Sequence, residues 1–248
     1  MEPSNEPQHA VVRTDTGEVP VDLIVPDVGN GGAIVIGAEA QGPNDFSRRI
    51  GHRLAALGYL VAIPDYYRGE GPPDPDDYVN LDVVRGFIVH LDFRRATFDL
   101  VDTARWVREQ SDVDARRVGV WGYCTGATLA MLAACLDPLT AAAVLFYPSQ
   151  PRFPELTTKR PVQPVELLWA LRCPALLFFG GADSVVPAVD VREAIDAMNA
   201  TERGRAVVYP GVEHVFAGDI PARYAPAADA DSWAQATQLL AAHLGVEP

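Results

Sequence analysis

Short apolar runs alternate with helix-like stretches along most of this 248-residue chain, and this alternation restricts the possible folds more than any other feature. The runs are apolar throughout, as in strands covered on both faces. They lie within residues 31–39, 59–67, 117–123, 141–148, 174–181 and 205–211. The helix-like stretches are 45–57, 92–110, 125–136, 188–200 and 231–244. Strands that alternate with helices predict an α/β fold, with a mostly parallel sheet and helices on both faces.

The N-terminal part of the chain and two insertions depart from this pattern. Residues 1–8 are polar and contain two prolines, so we expect a flexible tail ahead of a single domain at 9–248. At the start of that domain, two β-rich runs flank Gly17 and predict an antiparallel hairpin. Residues 68–91 and 148–165 are rich in proline and break the alternation. Such insertions often carry binding residues, although a plain surface excursion is an open alternative.

The composition excludes several classes of partner. A formal net charge of −13 repels phosphate backbones and anionic membrane surfaces, so we expect no nucleic-acid or membrane partner. Three cysteines without a paired spacing indicate neither a disulfide framework nor a metal site. The sequence also lacks a P-loop and a dinucleotide-binding fingerprint, and we expect no cofactor. With no secretory signal and no long apolar run, a cytoplasmic location is expected.

The segment Gly122-Tyr123-Cys124-Thr125-Gly126 lies between a predicted strand and a predicted helix. This arrangement is typical of a nucleophile elbow, here with cysteine where serine is commoner. The glycines allow the strand and the helix to approach closely, and the helix N-terminus favours a thiolate. The Thr125 N–H would then face a developing oxyanion. Alternatively, Cys124 is only a small buried apolar residue, as many lone cysteines are.

A base and an orienting acid are expected after the nucleophile, in the order acid and then histidine. Asp183 follows the predicted strand at 174–181, and His214 lies just beyond the strand at 205–211. Because the carboxyl ends of parallel strands meet at one edge of a sheet, we expect both side chains near Cys124. An aspartate after two glycines can also be a turn former, and a lone histidine can be structural.

Glu39 is a fourth candidate, because it ends the first buried strand at the same predicted edge. Its carboxylate could modulate the protonation of a nearby thiol, unless it simply faces water. The next residue, Ala40, is in the position that supplies a second oxyanion N–H in this type of site.

These residues together resemble the dienelactone hydrolases (carboxymethylenebutenolidases) of the α/β-hydrolase superfamily. The resemblance extends from the hairpin to the last helix and is carried by the segments IVIGAEAQGPN, GYLVAIPDYYRG, RVGVWGYCTGATLA, PALLFFGGADSVVP and YPGVEHVF. It implies a single-domain α/β-hydrolase fold. It also implies that Cys124 is the nucleophile, His214 the base and Asp183 the orienting acid. Glu39 matches a glutamate that, in the mechanism proposed for the family, keeps the cysteine inactive until substrate arrives.

The sequence departs from the family pattern at three positions. Ala127 replaces a usual glycine, Thr125 replaces a large apolar residue, and Gly218 stands where some members carry a substrate-binding arginine. The side chains that could substitute for this arginine are Arg68, Arg85 and Arg223.

The resemblance implies a hydrolase that opens a small enol lactone or activated ester through an acyl-cysteine intermediate, without metal or cofactor. The partner would be a small-molecule ester or lactone, and the protein a monomer or weak homodimer. Two alternatives remain. One is a general cysteine carboxylesterase or thioesterase with the same three residues, and the other is a non-catalytic binding protein on the same scaffold.

Overall fold

The computed structural model describes residues 7–79 and 81–245, and the first six residues of the expected tail lie outside them. In the described part, eight strands form one sheet in the order β1-β2-β4-β3-β5-β6-β7-β8. The strands are β1 (Gln8–Thr14), β2 (Gly17–Ile24), β3 (Ala33–Gly37), β4 (Leu60–Pro64), β5 (Val118–Tyr123), β6 (Ala143–Phe146), β7 (Ala175–Gly180) and β8 (Gly204–Tyr209).

The helices follow the strands in the chain as predicted, with two additions. They are α1 (Asp45–Ala55), α2 (Leu81–His90), α3 (Phe93–Arg108), α4 (Thr125–Leu136), the short α5 (Pro164–Leu167), α6 (Ala188–Ala200) and α7 (Pro226–Leu244). A 3₁₀ turn at Leu168–Ala170 continues α5. No helix in the described ranges is both long and apolar enough to cross a membrane.

The sheet confirms the predicted α/β architecture with its N-terminal hairpin. Strands β1 and β2 pair in antiparallel register around Gly17, and β2 is also antiparallel to β4. All the other pairings, from β4 through β3 to β8, are parallel. Every residue of β3, β5, β6 and β7 is buried, which explains why these strands are apolar throughout.

Helix α4 occupies the centre of the fold. It packs against β3, β5 and β6, and only its last residue, Leu136, is exposed. Helix α1 packs against β2 and β4, while α7 packs against β5 and β7. The carboxyl ends of β3, β5 and β7 therefore come to one edge of the sheet, with the N-terminus of α4 beside them.

Besides the short α5, which was not predicted, two helices differ from the sequence prediction. Helix α7 begins at Pro226, five residues before the predicted start at 231, because proline suits the first turn of a helix, where its missing N–H costs nothing. Helix α2 was not predicted at all and occupies the second half of the insertion at 68–91. The proline- and aspartate-rich residues that precede it concealed its apolar spacing.

The two insertions contact each other. The Arg160 guanidinium donates hydrogen bonds to the carbonyls of Ile88 (2.9 Å) and Val89 (3.3 Å) at the end of α2. Lys159 Nζ donates to the carbonyl of His90 at 3.1 Å. Cationic side chains thus satisfy the last carbonyls of α2, which have no partner within the helix. Arg160 also lies over the rings of Phe93 and Phe153, at 5.1 and 5.6 Å from their centroids.

Candidate active site

Cys124 lies on the sharp turn between β5 and α4. Its backbone has φ 51° and ψ −118°, a conformation that non-glycine residues rarely adopt and that strained functional turns tolerate. A Cβ atom on Gly126 would overlap the carbonyl of Gly37 in β3, and one on Gly122 would overlap the backbone of α4. Both glycines of the predicted elbow are therefore required, because strand and helix backbones touch on either side of the cysteine.

Three of the predicted side chains form one hydrogen-bonded chain. Cys124 Sγ lies 3.4 Å from His214 Nε2, and His214 Nδ1 lies 2.7 Å from Asp183 Oδ2. The other oxygen of Asp183 accepts the backbone N–H groups of Val185 and Val186, both at 2.9 Å. His214 is 1% exposed, so the imidazole is shielded from bulk water. This geometry permits a proton to pass between the thiol and the imidazole.

The charges in this chain stabilise one another. Burial opposes the ionisation of Asp183, but the hydrogen bond from His214 and the two backbone donors outweigh it, so the pKa of Asp183 is lowered. Burial likewise opposes a charged His214. The neighbouring Cys124 sulfur and the Asp183 carboxylate outweigh this, and they raise the pKa of His214 to about 10. The charged form of His214 is thus favoured electrostatically.

Glu39 lies two residues after β3 and is 2% exposed. Its Oε2 accepts a hydrogen bond from the Tyr78 hydroxyl at 2.9 Å, whereas its buried Oε1 has no hydrogen-bond partner among the described residues. The backbone is also held by phenols. Tyr66 donates to the carbonyl of Glu39, and Tyr67 donates to that of Ala40 at 2.8 Å. The loop that carries Glu39 and Ala40 is therefore held in place by two tyrosine hydroxyl groups.

Burial raises the pKa of Glu39 to about 7, because little around the carboxyl replaces the lost water. The hydrogen bond from Tyr78 and the positive charge of His214 act in the opposite direction, and Asp219 adds to the increase. The carboxyl of Glu39 therefore changes its protonation near neutral pH.

Thr125 and Ala40, the predicted oxyanion donors, directly follow Cys124 and Glu39 in the chain. Thr125 is the first residue of α4, so its N–H has no acceptor within the helix. Its hydroxyl lies 3.2 Å from that of Ser149, whose N–H donates to the Cys124 carbonyl at 3.1 Å. Ala40 is buried immediately after Glu39.

The three arginines considered for substrate binding are placed differently. Arg68 is occupied, because its guanidinium donates to the buried carboxylate of Asp99 and to the carbonyl and hydroxyl of Thr16. Arg85 is largely exposed and pairs with Asp82 on the same helix at 2.7 Å. The backbone N–H of Arg223 bonds to a neighbouring carbonyl in the loop before α7. No hydrogen bond described joins any of these guanidinium groups to Cys124, His214 or Asp183.

Tyr78, Asn44 and Ser149 are site residues that the sequence analysis did not identify. Asn44 donates to the Tyr78 hydroxyl at 2.8 Å, so Tyr78 connects this asparagine to Glu39. The only signal for Tyr78 was its place in an insertion of a kind that often carries binding residues. Among the described residues, no cluster of three or more His, Cys, Asp or Glu side chains is arranged to hold a metal ion.

The family model, two relatives and a solved structure that resemble this chain carry dienelactone hydrolase or carboxymethylenebutenolidase names. The family model for the dienelactone hydrolase family matches residues 21–244. A protein of Escherichia coli (strain K12) named "Putative carboxymethylenebutenolidase" is 29% identical over 229 residues, covering 91% of this chain and 78% of its own. A protein of Salmonella typhimurium with the same name is 30% identical, covering 86% and 77%. The crystal structure of a "Putative Dienelactone Hydrolase" from Klebsiella pneumoniae superposes with a TM-score of 0.82 at 26% identity, covering 94% and 97%.

Proposed function

Because the chain belongs to the dienelactone hydrolase family, a family of carboxylic ester hydrolases, we propose that it opens a small enol lactone or activated ester through an acyl-cysteine intermediate. The observation that carries this proposal is the hydrogen-bonded chain from Cys124 through His214 to Asp183 at the edge of the sheet. A thiol, a base in contact with it and an acid that orients the base are the groups that nucleophilic acyl transfer requires.

In the first half of the reaction, the Cys124 thiol gives its proton to His214 and the sulfur attacks the substrate carbonyl. The N–H groups of Thr125 and Ala40 stabilise the oxyanion, and one such donor is typically worth about 3–4 kcal/mol. When the tetrahedral intermediate collapses, the C–O bond to the leaving group breaks and His214 protonates the departing oxygen. In a lactone this oxygen stays attached to the acyl group.

In the second half, His214 removes a proton from water, and the resulting hydroxide attacks the thioester. The C–S bond breaks, the acid is released, and the sulfur recovers its proton from the imidazolium. Asp183 keeps Nδ1 protonated and stabilises the positive charge throughout. Glu39 acts before the reaction, as the carboxyl that keeps the cysteine inactive until substrate arrives.

One observation favours a second candidate, a general cysteine carboxylesterase or thioesterase that acts on uncharged substrates. Gly218 offers no side chain where an arginine could bind a substrate carboxylate, and the Arg68 guanidinium is already occupied. A substrate panel separates the two candidates. Activity confined to uncharged esters and thioesters would reject the dienelactone as substrate.

The proposal is tested by replacing the nucleophile. In Cys124→Ala, we expect hydrolysis of both p-nitrophenyl acetate and a dienelactone to fall by at least about 1,000-fold, because no covalent intermediate can form. Cys135→Ala is the matched control. Burial raises the pKa of that thiol to about 12, so it is not a nucleophile near neutral pH. Turnover of both substrates at the wild-type rate in Cys124→Ala would exclude the mechanism.

A further inference from the structure

Residues 72–79, which we term the proline–aspartate segment, fold on themselves in front of α2. The Asp76 N–H bonds to the Asp74 carboxylate at 3.1 Å, and the Val79 N–H bonds to the Asp77 carboxylate at 2.8 Å. These local bonds from aspartate to backbone are typical of tight turns. The segment therefore has a defined shape that presents Tyr78 to the rest of the protein.

Asn44 ties this segment to α1. Its side-chain oxygen caps the helix by accepting the Ser47 N–H at 3.0 Å. Its amide nitrogen donates to the Pro75 carbonyl at 3.2 Å and to the Tyr78 hydroxyl at 2.8 Å. Asn44 is fully buried. Its side-chain oxygen bonds to α1, and its side-chain nitrogen bonds to the proline–aspartate segment. The helix cap and the attachment of the segment thus depend on one side chain.

The direction of the hydrogen bonds at Tyr78 follows from this arrangement. Because the Asn44 oxygen is used by the helix cap, its nitrogen faces Tyr78 and can only donate. The Tyr78 hydroxyl must therefore accept from Asn44 and direct its own proton to Glu39 Oε2, at 2.9 Å. A proton on the Glu39 carboxyl then belongs on Oε1, the oxygen without a partner.

Oε1 is buried next to Gly218. A Cβ atom at Gly218 would lie 3.4 Å from Oε1 and would overlap the side chain of Val215, so the backbone packs closely beside the carboxyl. The titratable groups that act on Glu39 are His214, Asp219 and Tyr78, and Asp219 is itself paired with Arg49 of α1. Burial raises the pKa values of the Tyr123 and Tyr147 phenols, and the negative charge of Glu39 contributes to this increase. Among the described contacts, no hydrogen bond joins Glu39 to Cys124.

We propose that Tyr78 is a positioning residue for Glu39. The directed chain from Asn44 through Tyr78 holds the carboxyl by Oε2 and leaves Oε1 as the atom that gains or loses the proton. The proline–aspartate segment thereby controls the charge that the nucleophile experiences. This inference rests on the proposed function, since it assumes that Cys124 is the nucleophile and that Glu39 modulates it.

The test is the pH dependence of Cys124 alkylation by iodoacetamide, followed alongside kcat/KM for p-nitrophenyl acetate. The wild type should show a transition near the pKa of Glu39, which is about 7. In Tyr78→Phe the carboxylate loses its donor, so this transition should move to higher pH, by about one pH unit. Glu39→Gln should abolish the transition, and Tyr78→Phe should produce no further change in the Glu39→Gln background.

Two further variants separate positioning from a structural effect. Tyr209→Phe removes a tyrosine–carboxylate hydrogen bond of 2.7 Å at the surface, to Asp231, and should leave the transition in place. Asn44→Ser keeps an oxygen that can cap α1 but removes the amide that orients Tyr78, so the transition should move in the same direction as in Tyr78→Phe. An unmoved transition in both Tyr78→Phe and Asn44→Ser would overturn the proposal.

The same experiment distinguishes this proposal from the proposed function. Alkylation requires only a reactive sulfur, so the coupling between Tyr78 and Glu39 can be measured whatever the substrate is. Wild-type turnover in Cys124→Ala would reject the hydrolytic mechanism. Persistence of the Tyr78→Phe shift in the Glu39→Gln background would reject the positioning role alone.

Discussion

Two buried carboxyl groups lie at the same edge of the sheet and behave in opposite ways. Asp183, in the turn after β7, receives hydrogen bonds from His214 and from two backbone N–H groups, and its pKa is lowered. Glu39, after β3, receives one hydrogen bond from Tyr78, and burial raises its pKa to about 7. Burial is common to both, so the number of donors decides which carboxyl keeps its charge.

This difference gives the two groups different chemical capacities. A permanently ionised Asp183 can orient His214 and stabilise its positive charge through the whole reaction. A carboxyl that titrates near neutrality can instead change the charge of its surroundings when its contacts change. Pairs of carboxyls whose environments separate their pKa values are a recurrent feature of hydrolase active sites.

The largest expected effect concerns the carboxyl with many donors. In Asp183→Asn, kcat/KM for p-nitrophenyl acetate should fall by about 1,000- to 10,000-fold, because an amide neither fixes the tautomer of His214 nor stabilises the imidazolium. The folded structure should be retained, since asparagine has nearly the same shape. Steady-state kinetics with circular dichroism checks both points, and a loss below about tenfold would mean that Asp183 has no orienting role.

Glu39, the carboxyl with one donor, should affect the free energy of unfolding rather than the orientation of His214. The unfolded chain ionises Glu39 near pH 4.5, but the folded protein does so only near pH 7. The free energy of unfolding therefore contains a contribution that is present below pH 4.5 and lost as the pH rises through 7. This loss is on the order of 3 kcal/mol. Glu39→Gln removes the loss, so the variant should gain stability relative to wild type at pH 8 but not at pH 4.5.

Urea denaturation at the two pH values measures this difference. Glu202→Gln is the control, because Glu202 is exposed after α6 and its carboxyl stays in water in both states. An equal difference between Glu39→Gln and wild type at both pH values would show that the burial of Glu39 does not raise its pKa.

The smallest expected effect tests the sign of the electrostatics around Glu39. The negative charge of Asp219 contributes to the raised pKa of Glu39. In Asp219→Asn the alkylation transition should therefore move to lower pH, opposite to Tyr78→Phe. The shift should be a few tenths of a pH unit, because the Arg49 ion pair and solvent screen this charge. A shift to higher pH would contradict the assignment of the transition to Glu39.

The parts of the fold that the sequence predicts are those with a strong local pattern. Buried strands such as 175–180 are short, apolar and bounded by turn residues, so their number and their positions along the chain could be predicted, together with a mostly parallel sheet. The order of the strands within the sheet was not predicted. The elbow at Cys124 was recognisable because a strand and a helix that meet at such a turn leave no space for a Cβ atom, so glycines are required on both sides of the cysteine. Helix α2 was missed because its amphipathic spacing is short and follows residues that favour turns.

The site was predictable only where topology alone brings residues together. Strand ends converge by the rules of parallel sheets, which is why Cys124, Asp183 and His214 could be grouped in advance. Tyr78 could not be, because its contact with Glu39 spans 39 positions and depends on how an irregular segment folds. Arg68 was considered free for the same reason, since its partner Asp99 becomes apparent only when α3 packs beside it.

The contact between the two insertions has a consequence for how the protein opens. Arg160 satisfies the final carbonyls of α2 while it lies against two aromatic rings, so α2 cannot detach without breaking those hydrogen bonds. The two insertions, joined by Ile88 and Arg160 that are 72 positions apart in the chain, should therefore exchange their amide hydrogens as one cooperative unit. A protease nick near position 157 should then accelerate amide exchange in α2 as well.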